Sequence, residues 1–313
     1  VVDIGCNDGT LLKQFKALGV RTVGVEPTNI AKIARQEGID VIHAPFTEEV
    51  ARQIVEAHGQ ADLMTATNVF AHMAPLGEVM RGVERLIRPG GAFVTESHYL
   101  THILDKVQYD SIYHEHIRSY TLKSLVHLFN MYDFSVVDAE VVQRYSGTVR
   151  VTAMKGMHPP RDSVNRLLRE EQAAGIYEPH VYQRFRERVY RAKYQLLELA
   201  MTAKMKGQRF VGNSCPGRCS TLVNFTGLTP DLMPYIAEQP TSLKLGLHLP
   251  GTHNPVEVND ILLREQPDYV VLLAWHYADS IARQLRQRGL RSKLVIPLRE
   301  VAVLEPDLGR SVA

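Results

Sequence analysis

Across its first half the chain alternates apolar runs of strand length with segments of helical periodicity, a pattern that few folds can accommodate. The runs VVDIG, TVGVE, DVIHA, DLMTATNVF and AFVTES are separated by LLKQFKALG, NIAKIARQEG, TEEVARQIVEAHG and APLGEVMRGVERLI, and a further helical pattern, TLKSLVHLFNMYD, follows. Strands that arrive singly between helices pair in parallel and are covered on both faces. The spacing therefore predicts a parallel α/β sheet over residues 1–155. The last two runs, FSVVDAEVV and TVRVTAMKG, lie close together around Ser146 and Gly147, which suits an antiparallel hairpin and hence a reversed last strand.

Residues 156–206 carry apolar positions at helical spacing among Arg, Lys and Glu and are expected to form a helical connector. A second, smaller α/β domain is expected over 207–305, with strands at RFVGN, SLKLGLH, YVVLLAWH and KLVIPL, and 306–313 reads as a frayed tail. A length of 313 residues with 45% hydrophobic and 22% charged residues suits two domains with real cores. The net charge of +2, with no long basic run, gives nucleic acid no electrostatic support. No apolar run reaches the ~18 residues that span a bilayer, and no signal segment is present, so no membrane partner and a cytoplasmic location are expected. Three cysteines, Cys6, Cys215 and Cys219, are too few for a disulfide framework and are expected as thiols. The chain opens inside an apparent buried strand without an initiator Met, so a preceding segment is expected.

The first turn reads Asp3-Ile4-Gly5-Cys6-Asn7-Asp8-Gly9, not the G-x-G-x-x-G of a dinucleotide site. Asp3 and Asp8 would repel a pyrophosphate and attract a cationic amino-acid group. Glu26, at the carboxyl end of the next strand, can accept hydrogen bonds from ribose hydroxyls. Together these residues favour a nucleoside that carries a positive charge.

With D-x-G-C-x-D-G, VEPT and DLMTATNVFAHM, residues 1–155 resemble the class I S-adenosylmethionine-dependent methyltransferases, with their Rossmann-like sheet. The resemblance implies S-adenosyl-L-methionine as cofactor, with Asp3, Gly5, Asn7, Gly9, Glu26, Pro27, Ala44 and Asn68 as its binding residues. Within that fold His43–Phe46 would lie near adenine, and Thr67 with Asn68 near the methionine moiety.

Downstream, YDSIYHEHIRSYTL concentrates Tyr109, Tyr113, His114, Glu115, His116 and Tyr120, with His127 nearby. His114 and His116 are too close for the i, i+4 spacing of a helical zinc site and have no evident third ligand, so a general base with a carboxylate orienter is the expected chemistry. This Y-H-E-H motif, with SGTVRV, GNSCPGRCSTLVNF and HLPGTHNPV, resembles the 3-C-methyltransferases that act on nucleotide-linked 4-keto-deoxysugars, over essentially the whole chain. The resemblance implies His116 as the base that forms an enolate, Glu115 as its orienter, and Tyr113 and His72 on the substrate's oxygens. Arg150, Arg218, Asn224 and His253 would bind the nucleotide sugar, and the second domain would act as a lid. The family's N-terminal zinc module, with its two C-x-x-C pairs, is not in this chain, so zinc is expected only in a module outside it; Arg218-Cys219-Ser220 also departs from the family's lysine-glycine-asparagine. The oligomeric state is left open, a monomer being compatible with the sequence. An O- or N-methyltransferase of another small acceptor, and a non-catalytic binding protein, are the alternatives.

Overall fold

The computed structural model describes residues 1–143 and 146–306 and divides into two compact units. The first comprises Val1–His102 and His114–Tyr177; the second comprises Ile103–Tyr113 and the chain from Glu178 onward.

In chain order the elements of the first unit begin with β1 (Val2–Ile4), α1 (Thr10–Ala17), β2 (Val23–Val25), α2 (Ala31–Gln36), β3 (Asp40–Ile42), α3 (Glu48–His58) and β4 (Ala61–Thr67). They continue with α4 (Leu76–Leu86), β5 (Ile87–His98), α5 (Leu100–Asp105), which runs across the division, α6 (Leu122–Asn130), β6 (Phe134–Val142), β7 (Thr148–Lys155) and α7 (Asp162–Ala173). The seven strands run in the order β3-β2-β1-β4-β5-β7-β6. β1 to β5 are parallel, and β7 lies antiparallel to both β5 and β6, the reversed strand the hairpin spacing predicts. The strand order switches direction at β1, so the crevice outside the carboxyl ends of β1 and β4 is where an open α/β sheet admits a ligand.

Local sequence explains why the helices begin where they do. Thr47 caps α3, its hydroxyl accepting from Val50 N at 3.2 Å, and Glu48 and Glu49 place acids in the first turn. Thr121 and Ser124 form a reciprocal capping box on α6, and the buried Glu171 carboxylate accepts from Leu122 N at the same end.

The second unit holds α8 (Pro179–Met205), β8 (Phe210–Asn213), α9 (Cys219–Thr226), β9 (Ile236–Glu238), β10 (Val256–Val258), α10 (Asp260–Glu265), β11 (Tyr269–Leu272), α11 (Ala278–Gln287), β12 (Lys293–Ile296) and β13 (Ala302–Leu304). Its strand order is β10-β9-β8-β11-β12-β13, parallel except for β13. The expected strand at 242–248 is instead turn structure. Of the alternating leucines that suggested it, Leu245 packs against the core of the second unit, whereas Leu243 is 96% and Leu247 57% exposed. The short strands β9 and β10 take its place in the sheet, and β13 extends the other edge beyond what the sequence pattern suggests.

The helical stretch expected as a connector over 156–206 divides between the units. α7 buries Val164 and Leu167 in the core of the first, and α8 buries Val189, Ala192 and Leu196 in that of the second. The tail expected over 306–313 lies, beyond 306, outside the described residues. Among the described residues no helix is long and apolar enough to cross a membrane.

Candidate cofactor cavity and histidine cluster

The turn after β1 is built on three residues with positive φ, Gly5 at 71°, Asn7 at 53° and Gly9 at 78°. A side chain at Gly5 would bring its Cβ to 2.4 Å from Val69 Cγ1, and one at Gly9 would meet Ala34 Cβ and Ile39 Cγ1 at 3.1 Å. Gly5 thus lets the chain pass the wall of the crevice, and Gly9 lets α1 pack closely against its neighbours. Gly5 N donates to Val25 O at 2.8 Å and fixes the turn to β2.

Beside this turn lies a cavity of about 660 Å³, lined among others by Gly5, Asn7, Glu26, Pro27, Phe46, Asn68, Val69, His72 and Glu115. Of the eight residues expected at the cofactor, Gly5, Asn7, Glu26, Pro27 and Asn68 are on its wall; Asp3, Gly9 and Ala44 are not. Asp3 is 4% exposed, its carboxylate accepts from Thr65 Oγ1 at 2.5 Å, and burial pushes its carboxyl up to about 6. Asp8 accepts from Thr10 N at 3.0 Å and Thr10 Oγ1 at 2.7 Å, bonds that hold its carboxyl below the usual range at the start of α1. Both acids of the first turn therefore serve the protein's own backbone and side chains. The carboxylate on the cavity wall beside the turn is Glu26.

Glu26 Oε1 accepts from Thr28 N at 2.9 Å and Thr28 Oγ1 at 2.6 Å, and Oε2 accepts from Asn7 N at 3.1 Å. A carboxylate offers about four acceptor positions, so these bonds orient the group and leave capacity on Oε2 for a ligand hydroxyl. Asn68 sits at φ 57° with its N donating to Glu96 O at 2.8 Å, and its Oδ1 is buried without a partner among the described residues. A buried acceptor left unpaired costs about 1–3 kcal/mol, which a donor on a bound ligand would recover. An oriented acid, an unpaired acceptor and the apolar surfaces of Val25, Phe46 and Val69 fit a nucleoside joined to an ammonium-bearing chain.

His72 ends the single helical turn Phe70–His72 that follows β4, and it lines the same cavity. Burial lowers its imidazole below the ordinary value, while the Glu115 charge pulls it back up. Its ring meets His116 edge-on, with centroids 4.9 Å apart and planes at 83°, and His116 meets His98 at 4.6 Å and 46°. Three imidazoles therefore stand in a row, with only His72 of the three on the cavity wall. Among the described residues no cluster of His, Cys, Asp or Glu could hold a metal ion.

The expected catalytic set is thus partly gathered: His72, Glu115 and His116 belong to the first unit, and Tyr113 belongs to the second. The sequence does not single out His98. The apolar run that marks β5 ends at Ser97, and the one signal for His98 is that it continues the strand by one residue at its carboxyl end.

Of the expected substrate-binding residues, Arg150 donates to Glu96 Oε2 from Nε and Nη2 at 3.1 and 2.9 Å and pairs with Glu140 at 2.9 Å. Arg218 is buried in the second unit, forked onto Asp110 at 2.8 and 2.6 Å and set 5.3 Å over the Trp275 ring, whose Nε1 also donates to Asp110 at 2.8 Å. Both guanidiniums thus have carboxylate partners of their own. Asn224, on α9, donates to Ser220 O and Pro250 O at 2.7 and 2.9 Å and packs over Gly251, where a Cβ would fall 1.9 Å from its Oδ1. His253 is exposed, with φ 61°. Cys215 and Cys219 are buried thiols with sulfurs 3.6 Å apart.

Comparison with known proteins gives matches along the whole chain. Residues 1–139 match a family described as a methyltransferase domain, and residues 144–298 match the C-methyltransferase C-terminal domain. The chain is 34% identical to the C-methyltransferase NovU of Streptomyces niveus, across 98% of this chain and 74% of that protein. It is 38% identical to a ubiquinone biosynthesis O-methyltransferase of Methylobacterium sp. (strain 4-46), across 30% of this chain and 38% of that one. Among solved structures, the 1,6-didemethyltoxoflavin-N1-methyltransferase of Burkholderia thailandensis, with bound S-adenosylhomocysteine, matches 50% of this chain and 70% of its own at 20% identity and a TM-score of 0.38.

Proposed function

Since the chain belongs to the C-methyltransferase family and is thus an S-adenosylmethionine-dependent methyltransferase, we propose that it methylates carbon 3 of a nucleotide-linked 4-keto-deoxysugar. The observation that carries this reading is the placement of acid–base groups beside the cofactor residues: His72 and Glu115 share one cavity with Glu26 and Asn68, and His116 adjoins His72.

When bound, S-adenosylmethionine supplies the electrophilic methyl group that the substrate carbon takes. Glu26 and Asn68 would hold its ribose and amino-acid ends, and Gly5 and Asn7 its close side. A 4-keto group acidifies the hydrogen on carbon 3, so one base suffices. A ring nitrogen of His116 takes that proton, and the electron pair of the broken C–H bond moves into an enolate. His72, kept neutral by its burial, donates a hydrogen bond to the developing oxygen charge, and Glu115 orients His116. Of the four residues expected at the nucleotide end, Arg150 and Arg218 are held by carboxylates of their own, and Asn224 and His253 stand exposed in the second unit.

Incubation with S-[methyl-³H]-adenosylmethionine and a panel of dTDP-4-keto-deoxysugars in D₂O tests the reading. Tritium in the sugar, with deuterium exchange at carbon 3, is the expected result. Methyl transfer to oxygen or nitrogen, with no exchange at carbon 3, would overturn it.

A further inference from the structure

We propose that His98 is a positioning residue for the base, holding the His116 ring in the orientation that proton removal needs; this rests on the reading of His116 given above. The segment from Ile112 to Ser119 forms neither helix nor strand, so backbone hydrogen bonding does not by itself fix the ring of His116. His98 differs in kind. It is the last residue of β5, and it stands opposite Thr148 of β7 in the sheet.

A ring carried at the end of a paired strand is held by the sheet, and His116 lies against it at 4.6 Å with the planes tilted by 46°. On its other neighbour, His72, His116 packs edge-on at 4.9 Å. Two rings in different planes restrict both the tilt and the rotation of the one between them. A base held in this way keeps its lone pair on the substrate proton, and a displacement of about 1 Å costs on the order of 100-fold in rate.

The test uses the full chain and three variants, His98→Ala, His98→Leu and His98→Phe. With a 4-keto sugar that the wild type methylates, His98→Ala and His98→Leu are expected to lower kcat for carbon-3 exchange about 10-fold to 100-fold, with KM and S-adenosylhomocysteine affinity within about twofold. His98→Phe, which restores a flat ring, is expected to recover most of the rate. Independently of any substrate, the imidazole Hε1 resonance of His116, identified by its loss in His116→Gln, is expected to shift when the His98 ring is removed.

Wild-type exchange rates in the Ala and Leu variants, or an unmoved His116 resonance, would overturn the assignment. Loss of cofactor affinity in step with kcat would also overturn it, because it would make His98 a structural residue only. If the Ala variant does not fold, the Leu and Phe pair carries the same comparison. Absence of both exchange and methyl transfer in the wild type would refute the sugar reading itself, and that outcome is told apart from the others by the wild-type control alone.

Discussion

The two strand–turn–helix corners of this molecule, β1 to α1 and β8 to α9, use one backbone device for different local purposes. At the first, Asn7 N donates to Glu26 at 3.1 Å; at the second, Cys215 N donates to Glu238 at 2.7 Å. In each case a glutamate at the end of the neighbouring parallel strand holds the turn in place. An acid at that position is therefore first a support for the turn. What singles out the first corner is the rest of its wall: the unpaired Asn68 Oδ1 and the apolar side chains around a cavity of about 660 Å³. The second corner is instead filled from within. Cys215 and Cys219 pack sulfur to sulfur, Lys244 donates to Cys215 O, and Ser214 takes the positive φ, at 68°, that glycine takes at the first.

The largest effect is expected at the proposed base. His116→Ala is expected to cost at least ~100-fold in turnover and to leave S-adenosylhomocysteine affinity unchanged, as measured by steady-state kinetics and calorimetry; an unchanged rate would remove His116 from the chemistry. Next in size, Glu26→Ala should weaken S-adenosylhomocysteine about 10-fold to 100-fold, because it removes both a ligand acceptor and the support of the turn. Glu238→Ala should leave that affinity within about twofold while lowering the melting temperature. Equal losses of affinity in the two variants would mean that the corners do not differ in the way described.

Smaller effects sharpen the contrast in backbone strain. Gly9→Ala places a Cβ at φ 78° and 3.1 Å from two neighbours, and should cost about 1–2 kcal/mol in chemical denaturation. Ser214→Gly relieves a positive φ at the second corner and should be neutral or stabilise by up to about 1 kcal/mol.

The buried acid of the first corner gives a prediction in pH. The Asp3 carboxyl is raised in the folded state to about 6 from an ordinary 3.8, chiefly by burial. A raised acid binds its proton more tightly when folded, so its contribution to stability is present below pH ~4 and is lost as pH rises through about 6. Asp3→Asn keeps an acceptor for Thr65 and removes this dependence. Its melting temperature relative to wild type should therefore climb between pH 4.5 and 7.5, by the equivalent of about 2 kcal/mol; a difference that does not vary with pH would contradict a raised Asp3 carboxyl.

How far these features could be read from the sequence follows the range of the forces behind them. The parallel sheet, its reversed strand and the Gly5–Gly9 turn depend on local periodicity and on φ > 0, and both leave marks on neighbouring residues. Leu243, Leu245 and Leu247 alternate like a strand, yet whether such a run meets a core depends on distant chain, and here only Leu245 does. The same limit hid the partners of Arg150 and Arg218, since Glu96 and Asp110 lie 54 and 108 residues away in sequence. His98 escaped for a related reason, because its neighbour His116 belongs to a loop that only the fold brings to the end of β5. Asp3 and Asp8 stand out in the sequence without their partners. Charge near a glycine turn suggests a cationic ligand, whereas the two carboxylates are bonded to Thr65 and Thr10.

The cavity beside the first turn is expected to hold S-adenosylmethionine and not a dinucleotide, and isothermal calorimetry on the full chain measures this. Saturable binding of S-adenosylhomocysteine at one site per chain, with no heat of binding with NAD, is the expected result. Binding of NAD, or no binding of either ligand, would contradict it.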